Sequence, residues 1–82
     1  MTVLEQLQVI LRDFTGDGSL TLAQDTRLTA DMGLDSYDLV SLIGLTEDHF
    51  EVEIPDRAVL QMITAGDVAA YIQQLIANKG ED

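Results

Sequence analysis

The run Asp31-Met32-Gly33-Leu34-Asp35-Ser36-Tyr37-Asp38-Leu39 holds the arrangement in this chain that most suggests covalent chemistry. A serine stands among carboxylates where a glycine-containing loop passes into a stretch with helical apolar spacing. A hydroxyl in that setting is exposed, and no catalytic base accompanies it. His49 is the only histidine; it lies on the same helix roughly 20 Å further along the axis, beyond the reach of Ser36. There is no cysteine to provide a thiolate. These residue types suit a serine that another enzyme modifies better than one that attacks a substrate. A simpler role stays open beside it. Asp-Ser ahead of an apolar-periodic run is ordinary helix-capping chemistry, and either side chain could accept the first free backbone N–H groups.

Two further groups of polar residues bear on metal and partner chemistry. Asp13, Thr15, Asp17, Gly18 and Leu20 fall at the early positions of an EF-hand calcium loop, but Gln24 stands where its closing bidentate glutamate belongs. No helical stripe follows, so a polar turn is expected there and no metal site. Glu47, Asp48, Glu51 and Glu53 gather at the C-terminal end of the helix that Ser36 opens. Negative charge there opposes the helix dipole, at a cost of about 0.3–1 kcal/mol for each exposed group. A basic partner, bound cations or a well-solvated acidic turn each accounts for it.

The elements that must position these residues are helical. Val3, Leu4, Leu7, Ile10, Leu11 and Phe14 form one apolar stripe, with Thr2 and Glu5 spaced as a capping box, and predict a helix within 1–14. Residues 15–35 lack a period, and their scattered Leu20, Leu22, Leu28, Met32 and Leu34 predict an ordered loop pinned to the core. Leu39, Leu42, Ile43, Thr46 and Phe50 predict the inward face of a second helix over 36–50. Pro55 stops what precedes it, and Asp56 is placed to cap a short helix over 56–62. Thr64 and Asp67 resemble a second capping box ahead of a last helix over 65–78, and residues 79–82 are expected to fray. The expectation is a single all-α domain over 1–82: a small four-helix bundle of three main helices and a short third one.

Composition narrows the class of function. In 82 residues, 15 acids face 4 bases, a net charge of -11. Nucleic acid and anionic membrane surfaces are poor partners for such a chain, and basic protein surfaces are better ones. No stretch approaches the roughly 20 apolar residues that cross a bilayer, and the early acid in the first helix does not suit a signal peptide. A monomeric cytoplasmic protein is the expectation. On the second helix, Tyr37, Val40, Ser41, Gly44, Leu45, Glu47 and Asp48 lie away from the inward stripe. An outer face carrying apolar residues with an acidic rim marks a protein contact, unless Val40 and Leu45 pack beneath the long loop.

Taken together, Asp31-x-Gly33-x-Asp35-Ser36, the acidic helix behind it, and Phe50-Glu51-Val52-Glu53-Ile54-Pro55-Asp56 resemble an acyl carrier protein over the whole chain. The resemblance implies a carrier rather than an enzyme. It makes Ser36 the attachment point of 4′-phosphopantetheine, a covalent cofactor installed from coenzyme A by a phosphopantetheinyl transferase. The arm's thiol would carry acyl groups as thioesters in fatty acid, polyketide or related specialised biosynthesis. Asp35 and Asp38 would help orient the transferase and its metal-bound coenzyme A. Tyr37, Val40, Ser41, Gly44, Leu45, Glu47 and Asp48 become the docking face for acyl-transferring and condensing enzymes with basic patches. Leu28, Leu42, Thr46, Ile54, Met62, Ile63, Ala69 and Ile72 become walls of an acyl cavity.

Three positions depart from the family pattern. Tyr37 stands where an aliphatic residue usually follows the serine, Ser41 where an acid is common, and Gly44 where a larger apolar contact is often found. These departures from the pattern of a general fatty acid carrier leave a carrier dedicated to one specialised pathway open beside it. Two other readings stay open on the residues alone. A peptidyl or aminoacyl carrier uses the same arm, although Gly-His before the serine is its more usual context. An acidic helical interaction module would leave Ser36 unmodified.

Overall fold

The computed structural model describes residues 1–79. Four helices follow in the expected order: α1 Val3–Thr15, α2 Ser36–Phe50, α3 Asp56–Val59 and α4 Ala65–Lys79. Both α2 and α4 pack against α1. Among the described residues the only β-type pairing is an isolated bridge between Arg27 and Thr64.

α1 begins as its capping box predicts. Thr2 Oγ1 accepts the Glu5 N–H at 3.1 Å, and the Glu5 carboxylate accepts the Thr2 N–H at 2.9 Å. These bonds hold the Glu5 carboxyl below its ordinary value. Thr2 itself is extended, so the helix starts at Val3, and it runs on to Thr15 before Gly16 turns left-handed at φ 76°. Leu7, Ile10 and Leu11 are its buried residues.

The long connection that follows is fixed at both edges. Toward α1, Arg12 Nε donates to the Leu20 carbonyl at 2.7 Å, and Gln8 Oε1 accepts the Leu22 N–H at 2.8 Å. Toward α4, three backbone bonds stitch it down: Leu28 N–H to Ile63 O at 3.0 Å, Ala65 N–H to Thr26 O at 2.8 Å, and Gly66 N–H to Gln24 O at 2.8 Å. The last contact requires glycine, because a Cβ at position 66 would lie 2.6 Å from the Gln24 carbonyl oxygen. Leu22, Leu28 and Leu34 are buried from this connection, as their scatter along the sequence predicts. The calcium-loop-like segment folds as a turn in which Asp17 accepts from both the Ser19 N–H and hydroxyl.

The short third helix differs from expectation. It ends at Val59 instead of Met62, and Pro55, which carries no capping side chain, takes the N-cap position assigned to Asp56. Beyond Val59 the backbone tightens into i→i+3 bonds, Gln61 N–H to Ala58 O and Met62 N–H to Val59 O, that do not propagate a helix. No residue of α3 is buried, so little packing is available to lengthen it.

α4 opens on the predicted Thr64–Asp67 box. Thr64 Oγ1 accepts the Asp67 N–H at 3.1 Å, while Asp67 Oδ2 accepts the N–H groups of both Ile63 and Thr64 at 3.0 Å. The shorter aspartate thus does the work of the usual glutamate. Those backbone bonds, that to Thr64 foremost, lower the Asp67 carboxyl's pKa. Lys79 is helical, and its Nζ donates to the Glu51 carbonyl at 2.8 Å. The expected frayed tail therefore does not include Lys79; residues 80–82 lie outside the described residues.

Candidate functional site

Ser36 is the first residue of α2, and Asp35 rather than Ser36 is the cap. Asp35 Oδ1 accepts the Asp38 N–H at 2.8 Å, and Asp38 Oδ2 accepts the Asp35 N–H at 3.2 Å. Of the two capping candidates the aspartate wins because its backbone is extended, at φ -90° and ψ -177°, one step outside the helix. The serine is left exposed, and its hydroxyl makes no hydrogen bond among the described residues. Gly33 precedes this start with φ 72°, a left-handed turn that glycine adopts without a steric penalty, and buries Leu34 behind it. The structure thus removes the capping role that Ser36 could have had.

The same start suits a phosphodiester. The four leading N–H groups of a helix have no partner within it. Here the Asp35 carboxylate takes that of Asp38, and the Asp38 carboxylate takes that of Asp35. The N–H groups of Ser36 and Tyr37 remain at the positive end of the helix dipole, where an anion is stabilised.

The outer face of α2 is open. Tyr37 is 79% exposed and Val40 68%, and Leu45 is also exposed. Neither Val40 nor Leu45 packs beneath the long loop. Ser41 and Gly44 are half-buried between them, and an added Cβ at Gly44 would meet nothing within 4 Å. Asp48 is exposed, whereas Glu47 is half-buried and its carboxylate accepts the Ile54 N–H at 2.7 Å. Glu47 therefore also fastens the segment after α2. That segment leaves the helix through Glu51, a non-glycine residue at φ 56°. His49 lies on the surface, its Nε2 3.0 Å from Gln6 Oε1 on α1.

Of the expected cavity walls, Leu28, Leu42, Thr46, Ile54, Met62, Ala69 and Ile72 are buried in the bundle. Thr46 satisfies its hydroxyl on the Leu42 carbonyl at 2.8 Å. Ile63 is placed differently: it is 60% exposed and lies on the surface. It lines a groove of about 330 Å³ with Ser36, Leu39, Val40, Leu60 and Met62. Thr29, Val59 and Leu60 also line this groove and were not picked out by the sequence pattern. Leu60 follows a one-turn helix, where periodicity is too short to show which way a side chain points. The groove adjoins a second of about 390 Å³, lined by Val40, Ile43, Ile54 and Val59 and bounded by Glu47 and Asp56.

A family model described as the phosphopantetheine attachment site matches residues 5–72. This chain belongs to the acyl carrier protein family. It is a carrier and not an enzyme, and its cofactor is a covalently attached 4′-phosphopantetheine. Among curated relatives it is similar to the acyl carrier protein of Helicobacter pylori, with 33% identity over 73 residues, covering 89% of this chain and 94% of the relative. The acyl carrier protein of Rhodococcus erythropolis is 32% identical over 79 residues, covering 96% of this chain and 87% of that one. Among solved structures, the solution structure of holo acyl carrier protein from Geobacter metallireducens superposes with a TM-score of 0.87 at 26% identity, covering 99% of this carrier and 93% of that chain. Among the described residues, no helix of the carrier is long and apolar enough to cross a membrane.

Proposed function

We propose that Ser36 is the residue that bears the phosphopantetheine arm, and that the carrier serves a dedicated acyl-processing pathway. One observation carries the attachment reading: Ser36 opens α2 with an exposed, unbonded hydroxyl because Asp35 has taken over the cap. Asp35 and Asp38 build the helix start that presents the serine. Their charge also helps to draw in a transferase with its metal-bound coenzyme A. When bound, the arm supplies the thiol that this cysteine-free chain lacks, and acyl groups ride on it as thioesters.

The partners are a phosphopantetheinyl transferase and the acyl-transferring and condensing enzymes that act on the loaded arm. Tyr37, Val40, Ser41, Gly44, Leu45, Glu47 and Asp48 are proposed as the docking face, with Asp48 the exposed acid for a basic patch. Leu28, Leu42, Thr46, Ile54, Met62, Ala69 and Ile72 are proposed as walls that part to admit cargo, with Ile63 at the groove mouth near Ser36. The dedicated role is supported by Tyr37, Ser41 and Gly44, which make this face unlike the family pattern. The carrier is proposed to act as a cytoplasmic monomer.

Intact-mass measurement tests the attachment. After incubation with coenzyme A and a broad-specificity phosphopantetheinyl transferase, the mass rises by one phosphopantetheine, and Ser36→Ala abolishes the gain. A gain that persists in Ser36→Ala rejects Ser36 as the site.

A further inference from the structure

The core of this carrier is apolar with one exception. Among the described residues Thr46 is the only buried polar residue, and it is fully buried. A buried polar side chain is the informative kind in a small core. The fold does not call for this hydroxyl. It donates to the Leu42 carbonyl at 2.8 Å, but a carbonyl in mid-helix already accepts an N–H from the next turn. Such back-bonding slightly destabilises a helix, and threonine is a poorer helix former than the Leu42 beside it. Valine would fill the same volume with no polar atom to bury. With its proton committed, the oxygen keeps its acceptor capacity, and no donor among the described residues uses it.

Position ties this acceptor to the proposed cargo site. At about 100° per residue, Thr46 falls between Leu42 and Ile43 on the α2 wheel, about 60° inward of Ile43. Ile43 and Ile54 line the groove of about 390 Å³ between α2 and the α3 segment. An acyl chain that passes them moves toward Thr46. The other proposed walls present only hydrocarbon or thioether. Resting on the reading of these residues as cargo walls, we propose that Thr46 is a specificity-determining residue that selects acyl chains bearing a hydroxyl group. The cargo hydroxyl donates to Thr46 Oγ1, while Thr46 keeps its bond to Leu42. The chemistry of the acceptor sets the class. An oxo group brings only another acceptor, which Thr46 could serve only by giving up Leu42. An amine would enter charged and lose its hydration. An amide buries a carbonyl beside its N–H and needs a second partner.

Thermal unfolding of loaded carriers tests this. A broad-specificity phosphopantetheinyl transferase loads the apo chain from octanoyl-, β-hydroxyoctanoyl- or ω-hydroxyoctanoyl-coenzyme A, and intact mass confirms each cargo. In the wild-type chain at least one hydroxy cargo is expected to match or exceed octanoyl in the melting temperature it confers. In Thr46→Val the same cargo is expected to fall by about 4–8 °C relative to octanoyl, the shift that loss of about one net hydrogen bond produces in a domain of this size. Thr46→Ser keeps the acceptor and is expected to keep the preference. A gap between octanoyl and each hydroxy cargo that is the same in wild type and Thr46→Val overturns the proposal. Amide chemical shifts separate this outcome from failure of the wall reading. Octanoyl loading that moves the amides of Leu42, Thr46 and Ile72 while the gap stays equal rejects the hydroxyl selection alone. Octanoyl loading that leaves those amides in place rejects the core as cargo site and the proposal with it. A Thr46→Val chain that loses its helix by circular dichroism leaves the decision to wild type, where two hydroxy cargos that both melt below octanoyl overturn the proposal.

Discussion

The connection between α1 and α2 and the segment between α2 and α4 are both mostly irregular, yet they use apolar residues in opposite ways. The first, residues 16–35, turns Leu22, Leu28 and Leu34 inward and pairs its backbone with the start of α4. The second, residues 51–64, buries Ile54 and Met62 but leaves Leu60 and Ile63 in solvent. It is held by a few polar fastenings: Glu47 on the Ile54 N–H, Lys79 on the Glu51 carbonyl, and Asp67 on Ile63 and Thr64. Length without regular structure does not decide a segment's role. Where its backbone hydrogen bonds go decides whether its apolar side chains are available to pack or to be presented.

Leu28→Ala strikes the first region hardest. Leu28 is 1% exposed, and truncating a buried leucine costs about 2–5 kcal/mol. A fall of that size in the urea-unfolding free energy is expected, against a total of about 5–15 kcal/mol for a domain. A loss below about 1 kcal/mol would show that the long loop is not part of the core. Gly66→Ala attacks the backbone pairing instead. The added methyl meets the Gln24 carbonyl at 2.6 Å, and the forced shift is expected to cost about 1–3 kcal/mol. Amide exchange at Ala65 and Leu28 should quicken with it, and unchanged protection there would mean that the loop accommodates the methyl elsewhere.

Gly44→Ala reverses the sign. An added Cβ has open space at this mid-helix position, so about 1 kcal/mol of stabilisation is expected from helix propensity. A higher melting temperature combined with slower partner turnover would locate the glycine's purpose at an interface. Leu60→Ser should alter stability by less than about 0.5 kcal/mol, as exposed substitutions do. A larger loss would mean that the second region packs like the first. The smallest effect is expected from protonation of Asp67, an exposed carboxylate. Its carboxyl is held below the ordinary value by backbone bonds from Thr64 and Ile63. The unfolded chain therefore takes up that proton more readily than the folded one. The stabilisation is complete above the ordinary carboxylate value and fades as pH falls through the lowered one. Asp67→Asn should remove this part of the acid dependence, measured as melting temperature against pH.

Much of this molecule is legible in residue order. The stripe from Val3 to Phe14 and the Thr2–Glu5 box define α1, and Thr64–Asp67 marks where α4 starts. Asp35-Ser36 and the Phe50 to Asp56 run point to the carrier family before any contact is known. Helix periodicity and capping are local, so short windows reveal them. The extent of α3 was not legible, because a single turn has too little period to separate helix from tightened turn. Ile63 had the composition of a wall and the position of a rim. Its side chain stands outside because its main chain is committed to Leu28 and Asp67.

The sequence by itself determined the helix order, the capping boxes, the inward stripes and the placing of a serine at the start of the second helix, since each depends on neighbours within a few residues. The tertiary structure decided the rest. Only with both backbones in place does Gly66 become obligatory against Gln24. Only the extended backbone at Asp35 assigns it the cap and frees the Ser36 hydroxyl. And only the approach of the α3 turn to the start of α2 gathers Leu60 and Ile63 beside that serine, because contacts between residues more than 20 positions apart carry no local signature.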